Sequence, residues 1–560
     1  MVIEMENETK AFPEAWEKPA HLSGTFHQDA MHFPNPLSPL ANSSLNPAFA
    51  VGLPTAAQEL NAPMANAHIF ACNWYRFEQF DRAEPKSEAE ARAFHEQAEA
   101  TMKVELGRLG ERWHQEHLPA IRAILSRLAE AEGEIQRGSA AQIVGIIDEA
   151  EAAHRELWTI HFRVAFPMLL GMQLFDEFYQ EVFGGTDGDS HVLLLGVESE
   201  SMKAAIGLSD LANSARDLDL EPALRENPAD QLLSILGATE PGRKFLVALD
   251  AYLDEYGYRQ DLFDMASPTW REDRTIPLAN IRNYLVTGRE ARAEYESRKQ
   301  SAEAATKAAR EQLASYPEAI RGQFEGMLGI ARVGSFLQEE HNFYIDQQGL
   351  ARLHDLYLSI GRRLVQEGVL AEADDVFMLL VDELRNLFAN PDAMAQTDFV
   401  RALVQRRHEE MEIAKTLTPP PFLGDPPQEP PAGDPMVRAM GRFFGGPPLQ
   451  SAASDQLQGN PGSRGTVSGK ARVARTLDEA MNLQPGEVLV AVTTMPPWTP
   501  LFGIAAAVVT ETGGPLSHCA IVAREYGIPA VVGAHGATSR IATGQTISVD
   551  GGTGVVTLHE

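Results

Sequence analysis

Hydrophobic positions recur at helical spacing through most of the middle of the chain. Runs such as IRAILSRLAEAEGEIQRG and LARLHDLYLSIGRRLVQEGVL place apolar residues three and four positions apart, which predicts amphipathic helices. Patterns of this kind occupy 88–183, 229–256, 286–330 and 347–416, and almost nothing there alternates with period two. The sequence therefore predicts a large, mainly α-helical domain, with boundaries at 61–417.

The segments on either side of this domain differ from it in composition. Residues 1–60 are rich in Pro, Asn and His and show little periodicity, which predicts an extended arm lying on a larger body. Residues 418–455 begin with a dense run of Pro and Gly that favours extended polyproline geometry over helix or sheet. A linker of roughly 3 Å per residue could carry a terminal domain between distant sites. The alternative is that this segment wraps along the surface.

After the linker, short β-branched stretches alternate with glycine-containing turns. TVSGKARVAR, EVLVAV, AAAVVT, PAVVG, QTISVD and GVVTL have the composition of strands. One helix, at about 517–526, lies between the third and the fourth of them. The predicted fold class is a multidomain chain in which the large helical domain precedes a small α/β domain at 456–560.

Composition narrows the class of partner. The 560 residues carry a formal net charge of −31, which repels phosphate backbones and anionic lipid, so neither nucleic acid nor a membrane is expected as a partner. Cys72 and Cys519 lie far apart in the sequence, which argues against a disulfide framework and a thiolate metal cage. The acidic start and the lack of a long apolar run indicate a cytoplasmic protein.

The candidate chemistry concentrates at 510–533, TETGGPLSHCAIVAREYGIPAVVG. A Gly-Gly turn follows a strand and places His518 at or near the first turn of a helix. Unpaired backbone N–H groups and the helix dipole hold an anion at such a position and favour a neutral, nucleophilic imidazole. The site suits a histidine that carries phosphate. The adjacent Cys519 points in another direction on the helix, which argues against a thiol nucleophile.

This segment resembles the phosphohistidine, or swivelling, domain of the phosphoenolpyruvate-utilising enzymes. In that family Gly-Gly, two residues and Ser/Thr or Cys precede the phosphorylated His, and an Ala-rich helix and Gly-Ile-Pro-Ala-Val-Val-Gly follow it. The similarity extends to GTVSGKARV at 465–473 and to GEVLVAVTTMPPWTPLF at 486–502, and it departs at Cys519, where the family usually has Ala. The resemblance implies a covalent phosphohistidine at His518.

Neighbouring residues are candidates for binding the phosphate on His518. Gly513 and Gly514 form the Gly-Gly turn of the family motif. Ser517 either donates to the phosphate or caps the helix, and Arg524 pairs either with the phosphate or with surface acids. The sequence leaves both choices open.

The helical domain has a looser resemblance of its own. YLDEYGYR at 252–259, SPTWRED at 267–273 and SIGRRLVQEGVLAEADDVFMLLVDEL at 359–384 are similar to parts of rifampicin phosphotransferase and of the phenylphosphate synthase large subunit. In those enzymes a helical acceptor domain precedes the phosphohistidine domain. Ordinary helix packing is the alternative interpretation of these motifs.

An aromatic acceptor needs an apolar slot for its ring and a base beside its hydroxyl. EEHNFYIDQ and HFPNPLSPL combine polar groups with aromatic residues. They make His341 the first candidate base, oriented by Glu340 or Asp346, and His32 the second. Both carboxylates and Tyr258 are also candidate substrate contacts. For either histidine, ordinary hydrogen bonding in a buried position is the alternative.

Guanidinium groups suit the oxygens of a phosphate in transit. Arg259 and Arg362 are the candidates in the helical domain. Arg362 is adjacent to Arg363 on one predicted helix, so only one of the two is expected to face inward. The many carboxylates of this domain have no spacing that marks a specific metal site.

The sequence has neither a Walker motif nor the strand-rich, Lys-bearing region of an ATP-grasp domain. No phosphoenolpyruvate-binding (β/α)₈ barrel is expected after the last strand. The resemblance therefore implies a phosphotransferase component that depends on a separate ATP-grasp subunit. That partner would use ATP and Mg²⁺ to place the β-phosphoryl group on His518, releasing AMP and phosphate, and His518 would pass the group to a phenol-like hydroxyl.

Two other functions stay open. The acceptor could be the hydroxyl of a larger antibiotic or natural product, either as a phosphorylated end product or activated for ligation. Alternatively, the histidine domain could belong to a regulatory or scaffold protein that is labelled stoichiometrically and releases no small-molecule product.

Overall fold

A computed structural model describes residues 12–82, 87–185, 188–260, 262–426, 435–446, 449 and 453–559. Within this part of the chain the backbone forms two compact units. The first contains the described residues of 1–167, 262–267 and 344–429. The second contains those of 168–261, 268–343 and 430–560, so the helical body is itself divided and part of it packs with the α/β domain.

Helices dominate the described residues. The α-helices are α1 Pro39–Glu59, α2 Glu88–Arg112, α3 Leu118–Glu134, α4 Ala140–Phe183, α5 Glu200–Asp217, α6 Glu221–Glu226, α7 Ala229–Gly237, α8 Glu240–Tyr256, α9 Thr275–Thr287, α10 Ala291–Leu313, α11 Glu318–His341, α12 Leu350–Gln366, α13 Val381–Ala389, α14 Pro391–Met394, α15 Thr397–Ala414, α16 Pro435–Phe444, α17 Leu477–Ala480, α18 His518–Tyr526 and α19 Ala537–Arg540. Short π-helical segments (Trp113–His117, Asn342–Gly349) and 3₁₀ segments (Asp189–Leu194, Ala373–Met378, Pro496–Gly503) join some of them. Across the described residues, no helix is long and apolar enough to cross a bilayer.

The strands form two sheets, one in each unit. They are β1 Thr25–Gln28, β2 Met64–Cys72, β3 Tyr75–Arg82, β4 Phe422–Gly424, β5 Gln456–Gln458, β6 Asn460–Ser463, β7 Thr466–Ala474, β8 Val488–Ala491, β9 Ala507–Thr510, β10 Ala530–Val532, β11 Thr546–Asp550 and β12 Val555–Leu558. The sheet of the first unit has the order β2-β3-β1-β4 and is antiparallel. The sheet of the second unit has the order β5-β12-β11-β7-β8-β9-β10-β6, and its central strands β7 to β10 are parallel.

The predicted α/β domain is confirmed. Each of the six predicted stretches contains a strand, and the predicted helix is α18. Strands β8, β9 and β10 are buried at every residue, as expected for parallel strands covered on both faces. Their side chains form a core with those of β7, β11 and β12. The helical body that precedes this domain is also confirmed.

The predicted extended arm at 1–60 is wrong for its second half, which forms α1. Ser38 caps this helix by accepting a hydrogen bond from Ala41 N at 3.2 Å. Pro39 lies in the first turn, where a missing N–H has no consequence. Two further prolines lie inside the helix and obscure its periodicity in the sequence. Residues 1–11 lie outside the described residues.

The predicted linker at 418–455 also contains regular structure. Phe422–Gly424 is the strand β4, which pairs with β1, and Pro435–Phe444 is the helix α16. The segment PMVRAMGRFF is free of proline after its first residue and buries Ala439 completely, so it forms a helix despite its Pro-rich flanks. Residues 427–434 lie outside the described residues, and a swinging linker stays a prediction.

The first unit contains a hairpin that the helical pattern did not predict. Strands β2 and β3 pair from Cys72–Tyr75 outward. Asn73 and Trp74 have positive φ angles of 50° and 65°, as a tight two-residue hairpin turn requires. Phe26, Tyr75 and Phe77 belong to the core behind this sheet.

Candidate active site

The loop before α18 is built on two adjacent glycines. Gly513 has a φ of +95°, and a Cβ at this position would lie 2.8 Å from Ser517 Oγ. A Cβ on Gly514 would lie 2.2 Å from the carbonyl oxygen of Arg442. Any side chain would therefore collide at both positions. The two glycines determine the path of the chain into His518.

His518 is the first residue of α18. The Ser517 side chain caps the helix and accepts a hydrogen bond from Ala520 N at 3.5 Å. The helix ends at Gly527, which has a left-handed φ of 66°. Of the two roles open for Ser517, the structure shows the cap. Its contact with a phosphate stays a prediction.

The His518 ring is held as a neutral nucleophile. Its Nδ1 is buried and has no hydrogen-bond partner among the described residues. Burial lowers the pKa of His518, and the Arg259 guanidinium lowers it further, against the opposing effects of Glu339 and the Thr494 backbone. A lowered pKa keeps the imidazole uncharged at neutral pH, and only the uncharged ring has the lone pair that attacks phosphorus.

Arg259 is buried close enough to His518 to shift its pKa. Arg259 is only 4% exposed, and its Nε and Nη2 have no hydrogen-bond partner in the described part of the chain. The guanidinium carbon lies 5.5 Å from the ring centre of Trp270 and 5.8 Å from that of Phe343. The predicted substrate contact Tyr258 is instead covered by the guanidinium of Arg271, at 4.9 Å.

A buried guanidinium with unmatched N–H groups is costly. Each polar group buried without a partner costs about 1–3 kcal/mol, and more when it is charged. Burial accordingly lowers the pKa of Arg259. The arrangement can hold an anion, because the unmatched donors of a guanidinium match the oxygens of a phosphoryl group. Of the two phosphate-binding candidates predicted in the helical domain, Arg259 and Arg362, the structure brings Arg259 close to His518.

The predicted base His341 lies at the end of α11. Its Nδ1 lies 2.6 Å from the carbonyl oxygen of Leu337, one helical turn earlier. Glu340 Oε1 accepts a hydrogen bond from Glu200 N at 2.9 Å, at the start of α5. Burial raises the pKa of Glu340 to about 7. Glu340 thus anchors α5, and its role in orienting His341 stays a prediction.

In the first unit, His32 and Asp346 each belong to a histidine–carboxylate pair. His32 Nδ1 lies 2.9 Å from Asp29 Oδ2, and Asp346 Oδ1 lies 2.9 Å from His161 Nδ1. Asp346 was predicted to orient His341, and the pair with His161 was not predicted. Arg362 is exposed on α12, which does not favour its predicted role in binding phosphate.

The contacts of Arg524 and the burial of Cys519, both on α18, indicate structural roles for the two residues. Arg524 Nη1 donates to the carbonyl of Pro515 at 2.6 Å, and a Cβ on Gly188 would lie 2.8 Å from its Nη2. Arg524 therefore braces the histidine loop against the helical body, a role that the sequence did not predict. Burial raises the pKa of the Cys519 thiol to about 12, so the thiol is protonated and unreactive at neutral pH.

The C-terminal end of α16 holds the histidine loop. The backbone N–H groups of Gly513, Gly514 and Leu516 donate to the carbonyls of residues 442–444, over 2.9–3.2 Å. These carbonyls belong to the last turn of a helix, where they have no partner within the helix. In this arrangement the two glycine amides bind α16, and their predicted contact with a phosphate stays a prediction.

Two arginines connect α16 to α4 in the second unit. Arg442 donates to Asp176 at 2.5 Å and to Gln173 at 2.8 Å, and Arg438 donates to Glu177 at 2.8 Å. Asp176 is buried, which alone would raise its pKa, but the charge and hydrogen bond of Arg442 help to lower it. The histidine loop is thus tied through α16 to the helical body.

Further cationic contacts hold the α/β domain on the helices of this unit. Arg289 and Arg298 lie over the ring of Tyr526, with their guanidinium carbons 4.6 Å and 5.0 Å from the ring centre. Arg464 forms an ion pair with Asp189 at 2.7 Å. The contact between the α/β domain and these helices therefore depends strongly on charge.

Arg442→Ala is expected to loosen the histidine loop. The substitution leaves Asp176 buried without its cation, and breaking a buried pair in this way costs about 3–5 kcal/mol. Hydrogen exchange at the amides of Gly513 and Gly514 should accelerate by at least about tenfold, since 1.4 kcal/mol already corresponds to a factor of ten. Arg292→Ala removes an exposed pair with Asp210 and is the control. Equal exchange in the two variants would show that α16 does not hold the loop.

Sequence reasoning missed several of these residues. Arg442 and Asp176 are 266 residues apart, and no local pattern connects them. Glu339 influences the pKa of His518, and its only sequence signal is its place in the EEHNFYIDQ motif. His161 lies in an unbroken helical pattern and has no sequence signal at all.

The second unit is therefore an α/β domain that presents a histidine, at the start of a helix, to a buried guanidinium of a helical body. Comparison with protein families agrees with both halves. The mobile domain of PEP-utilising enzymes matches 483–554, which includes His518. The fourth domain of rifampicin phosphotransferase matches 161–339, which includes Arg259. These matches support the family that the histidine motif predicted, that of the PEP-utilising enzymes, and over part of its length the chain is similar to the rifampicin phosphotransferases.

Similar proteins extend beyond the region that this chain covers. A chondramide synthase of Chondromyces crocatus is 33% identical over 98% of this chain and 14% of its own length. The uncharacterized phosphotransferase YvkC of Bacillus subtilis is 28% identical over 93% of this chain and 60% of its own length. A rifampicin phosphotransferase of Streptomyces sviceus is 33% identical over 59% of this chain and 36% of its own length. The chain thus spans less than two thirds of each of these relatives.

Proposed function

We propose that this chain is a phosphotransferase component that carries a phosphoryl group on His518 and transfers it to the hydroxyl of an aromatic acceptor. The observation that carries the proposal is a pair of unmatched groups in one unit. His518 Nδ1 and two guanidinium nitrogens of Arg259 are buried without partners among the described residues, and Arg259 lowers the pKa of His518. A phosphoryl group on the histidine would supply the oxygens that Arg259 lacks.

The chemistry of the carrier follows from these positions. A neutral imidazole attacks phosphorus and forms a P–N bond, and the family relationship supports this intermediate. In the transfer step the acceptor oxygen bonds to phosphorus while the P–N bond breaks. Arg259 then stabilises the negative charge on the three equatorial oxygens of the phosphoryl group. Its burial excludes water, which would otherwise hydrolyse the phosphohistidine.

For the donor, we propose ATP with Mg²⁺ bound by a separate ATP-grasp protein. The sequence of this chain contains no nucleotide-binding motif, and its relatives are longer than the region that matches. His518 would receive the β-phosphoryl group, leaving AMP and phosphate. The nucleotide and its metal ion would be held by the partner, and residues of this chain would hold the phosphoryl group alone.

A larger acceptor is the second candidate. The match of 161–339 to a domain of rifampicin phosphotransferase favours an antibiotic or natural-product hydroxyl. The two candidates use the same carrier step and differ in the acceptor.

One experiment tests the proposal and separates the two acceptor classes. The chain is incubated with ATP labelled at either the β- or the γ-phosphate, in clarified extract of the source cells, and is then purified and offered phenol, 4-methylphenol or rifampicin. We expect acid-labile label from the β position only, and its discharge to a phosphorylated phenol. Discharge by rifampicin alone would favour the larger acceptor. Stable label that no acceptor discharges would contradict the transferase function and favour a regulatory protein.

A further inference from the structure

Trp270, from the SPTWRED motif of the helical body, lies beside Arg259 in the second unit. Its backbone N–H donates to the carbonyl oxygen of Arg259 at 3.0 Å. The guanidinium carbon of Arg259 lies 5.5 Å from the ring centre of Trp270. The fold thus holds an indole and a guanidinium next to each other.

The indole of Trp270 is buried with an unmatched donor. Trp270 is 2% exposed, and its Nε1 has no hydrogen-bond partner among the described residues. An indole N–H can only donate, and burying it without an acceptor is costly. The neighbouring guanidinium cannot supply that acceptor, because it too can only donate.

Arg259 also lacks an acceptor. Its Nε and Nη2 are unmatched, and the guanidinium forms no ion pair with a described residue. Glu200 and Glu339 act on its charge, but neither carboxylate bonds to it in the described part of the chain. A buried cation without a bonded anion is destabilising, and a negative ligand removes that cost. Two nitrogens of Arg259 and one of Trp270 therefore form a cluster of buried donors that suits an anion.

The position of this cluster indicates which anion it binds. Arg259 is close enough to His518 to lower its pKa, and His518 Nδ1 is itself buried without a partner among the described residues. A phosphoryl group in transfer spreads its negative charge over three equatorial oxygens, and N–H bonds to such oxygens are strong. The ring of Phe343, 5.8 Å from the guanidinium carbon, makes the surroundings apolar, which strengthens these bonds further.

An unmatched indole N–H alone does not define such a site. Trp113 of the first unit is completely buried, and its Nε1 also has no partner within the described residues. The ring beside it is that of Tyr344, at 6.4 Å between ring centres. Trp270 differs because an unmatched guanidinium lies beside it, and because that guanidinium acts on His518.

We infer that Trp270 Nε1 donates a hydrogen bond to the phosphoryl group on His518, and that Trp270 and Arg259 together form its oxyanion site. The inference rests on the proposed function and adds a catalytic residue to it. During transfer the acceptor oxygen bonds to phosphorus and the P–N bond breaks. The electron pair of that bond stays with the imidazole of His518, which gains the proton that the acceptor loses. The indole keeps its own proton throughout.

The indole N–H signal of Trp270 in a ¹⁵N–¹H NMR spectrum tests the inference directly. The chain has six tryptophans, so indole signals are few, and the signal of Trp270 is the one that is missing in Trp270→Phe. The chain is labelled on His518 in cell extract and purified again before the spectrum is recorded. We expect the Trp270 signal to move to higher proton frequency on phosphorylation, and the Trp113 signal to stay in place.

The rate of discharge is the second measurement. Trp270→Phe keeps a buried aromatic ring but removes the N–H, so His518 should be labelled as fully as in the original chain. Discharge to phenol should slow about 10–100-fold, the rate equivalent of one hydrogen bond to a charged group, with little change in half-saturating phenol. The matched control is Trp113→Phe, which removes the other unmatched indole N–H and should discharge at the original rate.

The outcomes separate this inference from the proposed function. A Trp270 signal that does not move when His518 is phosphorylated would overturn the inference and leave the carrier step intact. Equal rates in Trp270→Phe and the original chain would also overturn it, as would equal slowing in Trp270→Phe and Trp113→Phe. Because the signal is recorded before any acceptor is added, it decides the inference even if phenol is the wrong acceptor. If His518 of the original chain takes up no label, the proposed function fails, and the inference fails with it.

Discussion

His518→Ala will accept no phosphoryl group and will transfer none. The substitution removes the one nitrogen nucleophile that the α/β domain places at the start of α18, and no other residue of this motif can form the P–N bond. The measurement is the amount of acid-labile label after incubation with β-labelled ATP in cell extract. We expect complete loss of label, because the intermediate itself is deleted.

The fold should tolerate this change. His518 Nδ1 makes no hydrogen bond to the described residues, so alanine removes no stabilising bond at that atom. The free energy of unfolding should fall by only about 1 kcal/mol, the typical net value of one hydrogen bond, here the bond between His518 and the Thr494 backbone. The control is His535→Ala, an exposed histidine of the same domain, which should be labelled normally. Label retained in His518→Ala would place the intermediate on another residue.

Arg259→Met will separate loading of His518 from discharge. If the carrier is loaded elsewhere and discharges beside Arg259, the variant should be labelled as fully as the original chain. Discharge to phenol should slow about 10²–10³-fold, which is the usual cost of removing one charge-stabilising donor from a transition state. Arg259→Lys should restore only part of the rate, because an ammonium group lacks the planar fork that binds two phosphate oxygens.

Stability distinguishes this role from a structural one. Replacing an arginine with a structural role would lower the free energy of unfolding. Arg259, by contrast, is buried with Nε and Nη2 unmatched within the described residues. Replacing a poorly compensated buried charge by an apolar side chain of similar length is often neutral or stabilising. Arg259→Met should therefore unfold no more easily than the original chain. The exposed Arg292→Ala is the control for charge alone. A variant that discharges normally, or that simply unfolds, would contradict the assignment.

The parts of the fold that could be predicted are those with local causes. The strands of the α/β domain are short apolar runs between turns, and the Gly-Gly turn before His518 marks the start of α18 from neighbouring residues alone. The long helices α4, α11 and α12 have the expected spacing over many turns. For these elements, the contacts that specify the structure lie within a few residues in the sequence.

The parts that could not be predicted depend on distant pairing. Strand β4 exists because it pairs with β1, and the Thr25 side chain reaches the carbonyl of Asp425, 400 residues away. Helix α16 lies in a segment whose composition favours polyproline geometry, and its ion pairs with α4 are formed only in the folded chain. The composition of a segment predicts only its average backbone preference. Tertiary contacts can stabilise a helix or a strand within that segment against this preference.

The candidate site divides in the same way. The motif around His518 identified that residue, and a looser motif identified Arg259. The lack of hydrogen-bond partners for the Arg259 guanidinium among the described residues is a property of the folded structure. His161 was invisible because a histidine on one face of a long helix has no local mark, and its partner Asp346 is 185 residues away. The surroundings of each side chain in the folded structure, rather than its residue type, set the states of Arg259 and His161.

The central claim is that the phosphoryl group resides on His518 and leaves from it to an acceptor. The most direct measurement is a single-turnover chase, in which the chain is labelled, purified, and mapped by peptide mass spectrometry under alkaline conditions before and after phenol is added. The account predicts phosphate on the peptide that contains His518 before the chase, and the same amount as phenyl phosphate afterwards. Phosphate on any other residue, or phenyl phosphate formed while the His518 peptide stays labelled, would contradict it.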